Sequence, residues 1–314
     1  MSIEDAVYGR YTYLNPESLN GLSWQNDAVF TQIIENALIA ENVKKGDCTT
    51  LLTLEELNSI SGAEFEIFPD YKWLKSGLLL VNSGNRYIII HAEKKKIAYQ
   101  IVLPEEAANP VFCETGKFVS FTQADNLFVA LSNSEIKQIT KDGGDGIVNG
   151  QTVHRNEFGI SGGIFNSPKG NYIAFYRKDE SMVVDYPLVD FMAREAEVKL
   201  VKYPMAGMES HHVTLGVYNL KTGRKIFLKT AEPLDHYLTN VAWSPDEAGI
   251  YMAELNREQN YMQLNYYDVA SGEKVKTLFE EKSDKYVEPL FPIQFSKVNP
   301  DEFYYLSRKE GWFH

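Results

Sequence analysis

The run Gly159-Ile160-Ser161-Gly162-Gly163 has the G-x-S-x-G spacing that can set a nucleophilic serine on a sharp turn between a buried strand and a helix. That chemistry needs a helix directly after the serine, because its first amides help to bind an oxyanion. Here the chain passes at once into Phe165-Asn166-Ser167-Pro168, where no helix fits, so the glycines read as a crossing between strands. An independent hydrolase using Ser161 is kept only as a third reading.

Just upstream, Asp145-Gly146-Ile147-Val148-Asn149-Gly150 leads into Val153-His154-Arg155-Asn156-Glu157-Phe158. A carboxylate in such a stretch could grip a cation, for instance the α-ammonium of a peptide, in a partly desolvated site where an ion pair gains strength. The plainer alternative is that Arg155 and Glu157 belong to solvated or structural ion pairs. His211-His212 do not suggest a metal, because neighbours on a strand point to opposite faces. Asp179, Glu180 and Asp185 lack the spacing of a calcium loop and read as solvated. Cys48 and Cys113 stand in no zinc spacing and are expected to be two buried thiols, with a single bridge between them as the alternative. No cofactor is expected.

These residues must be positioned by strands. The chain holds 19 Tyr and 17 Phe, an aromatic share suited to sheet faces. A net charge of -12 argues against a nucleic-acid partner, and the basic cluster Lys94 to Lys96 reads as a hairpin tip. No apolar run reaches the length of a membrane span, and Met1 to Tyr13 lack a secretory leader pattern.

A phrase built from an aromatic, a small or polar pair, a turn and then a strand recurs down the chain. Its copies begin at Leu22-Ser23-Trp24, Trp73, Phe112, Phe165, Trp243 and Phe295, mostly about 40 to 50 residues apart, the period of a four-stranded propeller blade. A second phrase, strand, glycine turn and strand, occurs at Val217 to Lys225 and at Tyr267 to Lys274, with a degenerate copy from His91 to Lys96. One four-stranded sheet cannot bury both its faces, so blades stack, and the aromatic of each copy should sit between neighbouring sheets. The interval from Phe165 to Trp243 is too long for one blade. Its surplus lies between Arg177 and His212, where Val189 to Leu200 reads as a short helix or a strand ended by Tyr203-Pro204. Thr53 to Ser59 is a second helical candidate, with Glu55 and Glu56 in its first turn.

The stretch from Asp145 to Asp190, with Asn166-Ser167-Pro168-Lys169-Gly170 at its centre, resembles the dipeptidyl-peptidase IV N-terminal region of the prolyl-oligopeptidase-like serine peptidases, especially bacterial members. Lys202 to Gly207, Tyr237 to Asp246 and Ser307 to His314 agree with it in the same order. The resemblance covers most of the chain from about Gly21 onward. It implies an all-β fold: residues 21–314 as an incomplete part of an eight-bladed β-propeller, an insertion at about 177–212, and residues 1–20 as an extension.

In that family the propeller caps an α/β-hydrolase domain that carries the Ser-Asp-His triad, restricts entry to short or unfolded peptides, and lends a pair of glutamates that hold the substrate's free amino terminus. The corresponding segment here is His154-Arg155-Asn156-Glu157, in which only Glu157 keeps a carboxylate; Arg155 is expected to orient it or to meet a substrate carbonyl. The expected function is substrate gating and amino-terminus recognition in a dipeptidyl-peptidase IV-like exopeptidase acting on proline-containing peptides. The chain alone is expected to be inactive, because it ends before any triad. The parent protein is expected to be periplasmic or secreted. Its expected partners are a peptide substrate and a C-terminal α/β-hydrolase domain, with a homodimer kept open. The alternative is a non-catalytic propeller scaffold that binds a protein partner.

Overall fold

The computed structural model describes residues 2–15 and 19–314, which form two compact units, Met1–Leu103 and Pro104–His314. Within the expected extension, a short helix α1 (Ile3–Val7) is capped by Ser2, while residues 1 and 16–18 lie outside the described residues.

In the first unit, β1 (Ser23–Asn26), β2 (Val29–Ile34), β3 (Ala37–Asn42) and β4 (Cys48–Thr53) form an antiparallel sheet in chain order. β5 (Tyr71–Trp73), β6 (Leu79–Ser83), β7 (Arg86–His91) and β8 (Lys96–Val102) form a second. Between them runs helix α2 (Leu54–Ser61), where sequence predicts one. Thr53 caps its Glu56 amide while the Glu56 carboxylate accepts from the Thr53 amide. Leu38 and Leu52 of the first sheet, Leu57 of the helix, and Leu79, Ile88 and Ile90 of the second share one core.

The second unit repeats this plan. β9 (Ala108–Cys113), β10 (Phe118–Gln123), β11 (Asn126–Leu131) and β12 (Ile136–Gln138) form one sheet. β13 (Ile147–Asn149), β14 (Ile164–Asn166), β15 (Tyr172–Asp179), β18 (His212–Asn219) and β19 (Lys225–Phe227) form the next, and β16 (Asp185–Asp190) pairs with β17 (Glu197–Lys202) in a separate hairpin. β20 (Tyr237–Trp243), β21 (Gly249–Leu255), β22 (Tyr261–Asp268) and β23 (Lys274–Lys282) form a third, followed by the pair β24 (Gln294–Phe295) and β25 (Phe303–Tyr304).

Strand alternation shows why these sheets stack. On β15, Ile173 and Phe175 join the core shared with Phe118 and Leu127 of the preceding sheet. Ala174 and Tyr176, on the opposite face, join Leu238, Ile250 and Met252 of the following one. On β21 the even-numbered Ile250 and Met252 face back, while Ala253 and Leu255 face the core that receives Phe295 and Phe303. A central strand buried on both faces has no polar side, so its residues fall in near-continuous apolar runs, and each such side chain removed from water contributes about 1.5–3 kcal/mol.

The first repeated phrase ends a strand and leads into its antiparallel neighbour, as from β14 to β15 and from β20 to β21. Ser167 Oγ accepts from the Tyr172 amide at 2.9 Å, and Ser244 Oγ accepts from the Gly249 amide at 3.0 Å. The aromatics bridge sheets as expected: Trp73 Nε1 donates to Thr31 Oγ1 at 2.7 Å, and Trp243 Nε1 donates to the Phe165 carbonyl at 2.9 Å. Trp24 departs from this, being 61% exposed on its unit's first strand. The second phrase is the hairpin joining third and fourth strands. Gly223 and Gly272 take φ of 71° and 78° and donate to the Asn219 and Asp268 carbonyls. A third copy unnoticed in the sequence, Asn42 to Gly46, makes the same turn. In the degenerate copy Lys95 carries the positive φ at the tip.

The surplus between Arg177 and His212 is the hairpin β16–β17, so Val189 to Leu200 is not a helix but strand, turn and strand. Its side chains, among them Leu188, Val198 and Leu200, are largely exposed. The thiols are both free, but only Cys113 is buried; Cys48 opens a strand at an exposed turn. Among the described residues no helix is long and apolar enough to cross a membrane.

Candidate functional site

β13 and β14 lie end to end along one edge of β15, pairing with Arg177–Asp179 and Ile173–Phe175. Between them the chain leaves the sheet over residues 150–163. It departs and returns at a single residue: the Gly150 amide donates to the Tyr176 carbonyl at 2.8 Å, and the Tyr176 amide donates to the Gly163 carbonyl at 3.0 Å. Gly163 must be glycine, because a Cβ would lie 2.0 Å from the Gln151 carbonyl oxygen.

This excursion carries the whole G-x-S-x-G run. Ser161 is exposed and followed by β14 rather than a helix, so the local geometry is not that of a nucleophile elbow. Gly159, at φ 74°, has the Leu290 carbonyl oxygen 1.9 Å from where a Cβ would stand. The glycines serve close backbone approach.

At its tip His154, Arg155 and Asn156 take φ of 51°, 55° and 62°, and Phe158 follows at 55°. Three consecutive left-handed residues make one turn of left-handed helix, which costs L-residues about 1–2 kcal/mol each. Strain of this kind persists only where surroundings fix it. Thr239 Oγ1 donates to the Phe158 carbonyl at 2.6 Å, and the Phe158 ring packs edge-on against Tyr237, with centroids 4.9 Å apart. The buried His154 shares a 3.1 Å hydrogen bond between its Nδ1 and His211 Nε2. Arg155 Nη1 donates to the Tyr203 hydroxyl at 3.0 Å. Glu157 leaves the turn exposed and extended.

The turn borders a cavity of about 410 Å³. Its other walls are Lys178 and Glu180 at the end of β15 and just past it, Lys202 and Tyr203 at the end of β17, His211 before β18, Tyr237 at the start of β20, and Arg257 and Gln259 in the turn from β21 to β22. Tyr237 is fixed by two donors to its hydroxyl, Arg257 Nη1 and Gln259 Nε2, each at 3.1 Å. Glu180 is neutralised by Lys178 at 2.7 Å, and Asp185 by Lys202 at 3.1 Å, while Asp179 accepts from Ser181. The three acids noted in the sequence are thus occupied separately.

Burial holds the His154 imidazole well below the ordinary histidine range, with His211, His236, Arg257 and Lys178 adding to the effect. His211 is pushed down to about 4, by burial first and then by Lys178, Arg257 and His212. Both rings are therefore neutral at pH 7, and in their shared hydrogen bond one ring nitrogen donates while the other accepts. His154 Nε2 is buried without a partner.

Of the residues expected from sequence, Glu157 and Arg155 line one cavity. Arg155 does not orient Glu157; its guanidinium bonds Tyr203, and no ion pair within 4.0 Å joins the two. His211 was singled out with His212, but its ring meets His154, a contact across 57 positions with no local signal. Tyr237, Arg257 and Gln259 were missed as site residues for the same reason. Among the described residues no group of three or more His, Cys, Asp or Glu is placed to hold a metal ion.

The sequence model of the dipeptidyl peptidase IV (DPP IV) N-terminal region matches residues 81–314. A protein of the fungus Talaromyces marneffei assigned as a dipeptidyl-aminopeptidase B is 31% identical over 179 residues, half of this chain and 20% of that relative. A solved structure from Bacteroides ovatus, assigned as a dipeptidyl aminopeptidase IV, is 38% identical with a TM-score of 0.88, covering all of this chain and 44% of the other. Porphyromonas gingivalis dipeptidyl peptidase 4 shares the fold with a TM-score of 0.73 at 22% identity, over 46% of its chain. The chain therefore spans less than half the length of the solved proteins it matches.

Proposed function

Since the chain belongs to the family of dipeptidyl peptidase IV N-terminal regions, we propose that it is the gating and amino-terminus-recognising β-propeller part of a serine exopeptidase acting on proline-containing peptides. The observation that carries this reading is Glu157. It directly follows a left-handed turn beside a cavity of about 410 Å³, and it is the one carboxylate on the excursion that lines that cavity. A peptide's α-ammonium placed there gains a charge-assisted hydrogen bond, while the cavity size admits a short chain end and excludes a folded protein. The chemistry of bond cleavage belongs to a separate α/β-hydrolase domain.

The test is calorimetric binding of the tripeptide Ala-Pro-Ala amide and its N-acetylated form. The free amine binds and the acetylated form loses at least tenfold, and Glu157→Gln erases that difference. Equal binding of both forms would refute the assignment.

A second reading, a scaffold for protein partners, is favoured by the hairpin β16–β17, an isolated two-stranded ribbon exposing Leu188, Phe191, Met192, Val198 and Leu200. The same ribbon is the surface on which a homodimer would form. Sedimentation of the chain and of Leu188→Lys/Leu200→Lys distinguishes an association that this face supports from none. We propose that the parent protein works in the periplasm or outside the cell, which cell fractionation tests.

A further inference from the structure

The charge of the cavity is opposite to that of the chain. The protein carries a net charge of -12, yet four cationic side chains, Arg155, Lys178, Lys202 and Arg257, line this space against two carboxylates, Glu157 and Glu180. Glu180 is already spent on Lys178, and Lys202 is spent on Asp185. Arg155 and Arg257 remain. Neither meets a carboxylate within 4.0 Å among the described residues; each donates instead to a tyrosine hydroxyl, Tyr203 and Tyr237, at 3.0 and 3.1 Å.

A guanidinium bonded to one phenol keeps most of its five donors unused. The site is an unbalanced positive field with open donors, and the group that completes it is an anion with planar acceptor geometry.

We propose that this cavity takes the carboxylate of an acidic side chain on Arg155 and Arg257, so that the preferred ligand is a peptide with Asp or Glu beside its free amino terminus. The proposal rests on the reading of Glu157 as the ammonium acceptor: one wall holds the amine and the two arginines hold the first side chain. It names a substrate preference that Glu157 alone does not supply.

The experiment is titration calorimetry of the chain with the C-terminally amidated tripeptides Glu-Pro-Ala, Ala-Pro-Ala and Lys-Pro-Ala, with N-acetyl-Glu-Pro-Ala amide, and with unamidated Ala-Pro. The Glu peptide binds about tenfold more tightly than the Ala peptide and the Lys peptide more weakly than either, the scale of one charge-assisted pair. In Arg155→Gln and in Arg257→Gln the Glu and Ala peptides bind within about twofold of one another, and Arg257→Lys retains part of the preference. Equal affinity for the Glu and Ala peptides in the unaltered chain overturns the proposal and leaves the reading of Glu157 standing. An acetylated Glu peptide that binds as well as the free amine overturns the reading of Glu157 and keeps the arginine site. If unamidated Ala-Pro alone shows the gain, the carboxylate is the peptide's own terminus and the side-chain preference is overturned. Binding by none of the peptides overturns both.

Discussion

Replacing Gly159 with alanine separates two accounts of the same five residues. Gly159 has φ of 74°, and an added Cβ would stand 1.9 Å from the Leu290 carbonyl oxygen and 2.7 Å from its carbon. The backbone conformation alone costs an L-residue about 1–3 kcal/mol. Relieving the overlap requires a backbone shift of more than an ångström, and overpacking of this kind adds about 1–3 kcal/mol. The total is about 2–6 kcal/mol, and a loss of about 3 kcal/mol lowers the melting temperature of a unit this size by roughly 6–12 °C. Gly162 is the internal control: no atom lies within 4 Å of its added Cβ, so Gly162→Ala stays within about 0.5 kcal/mol of the parent. The exposed Ser161→Ala behaves likewise. Calorimetric melting of the three variants is the assay. Equal melting temperatures for Gly159→Ala and Gly162→Ala would falsify the close-approach argument, and selective labelling of Ser161 by a fluorophosphonate would restore the nucleophile.

Acid should weaken the fold through the histidine pair. The folded pKa of His211 lies near 4 against 6.5 unfolded, so its contribution is whole above pH 7 and declines as the pH falls from 6.5 towards 4. Between pH 8 and pH 5 that loss is about 2 kcal/mol, measurable by urea unfolding as the difference between the chain and His211→Asn; parallel curves would contradict it. Glu254→Leu removes the carboxylate oxygen that accepts from Asn265 Nδ2 at 2.7 Å and from the Tyr267 hydroxyl, both fully buried. It should cost about 3–5 kcal/mol, and a drop in unfolding free energy under about 1 kcal/mol would show that the network relaxes. Trp243→Phe loses the indole donation to Phe165 and part of the stack on Tyr172, so a destabilisation of about 1–2 kcal/mol is expected on the same assay, and none would mean that the indole does not tie the two sheets.

The repeated sheets were legible because several carry local chemistry: an aromatic anchor, a serine that closes a hairpin at Ser167 and Ser244, and a glycine at φ near 75° at Gly223 and Gly272. Trp24 misled because the repeat specifies a strand position but not the presence of a neighbour over it. Val189 to Leu200 stayed ambiguous because an exposed two-stranded ribbon carries neither a helical nor a clean alternating pattern. Of the site, Glu157 and Arg155 could be named from their place in a motif. Their walls could not, since Tyr203, His211, Tyr237 and Arg257 reach the cavity from strands and turns dozens of residues away. The left-handed turn was equally hidden: His154, Arg155 and Asn156 have no residue type that demands positive φ, and tertiary bonds impose it.

The most direct test of amino-terminus recognition is a crystal structure of the chain soaked with Ala-Pro-Ala amide. The account predicts the peptide's nitrogen within about 2.6–3.2 Å of a Glu157 carboxylate oxygen, with the first side chain towards Arg155 and Arg257. A peptide bound with its amino terminus away from Glu157, or in the reverse direction, would contradict it.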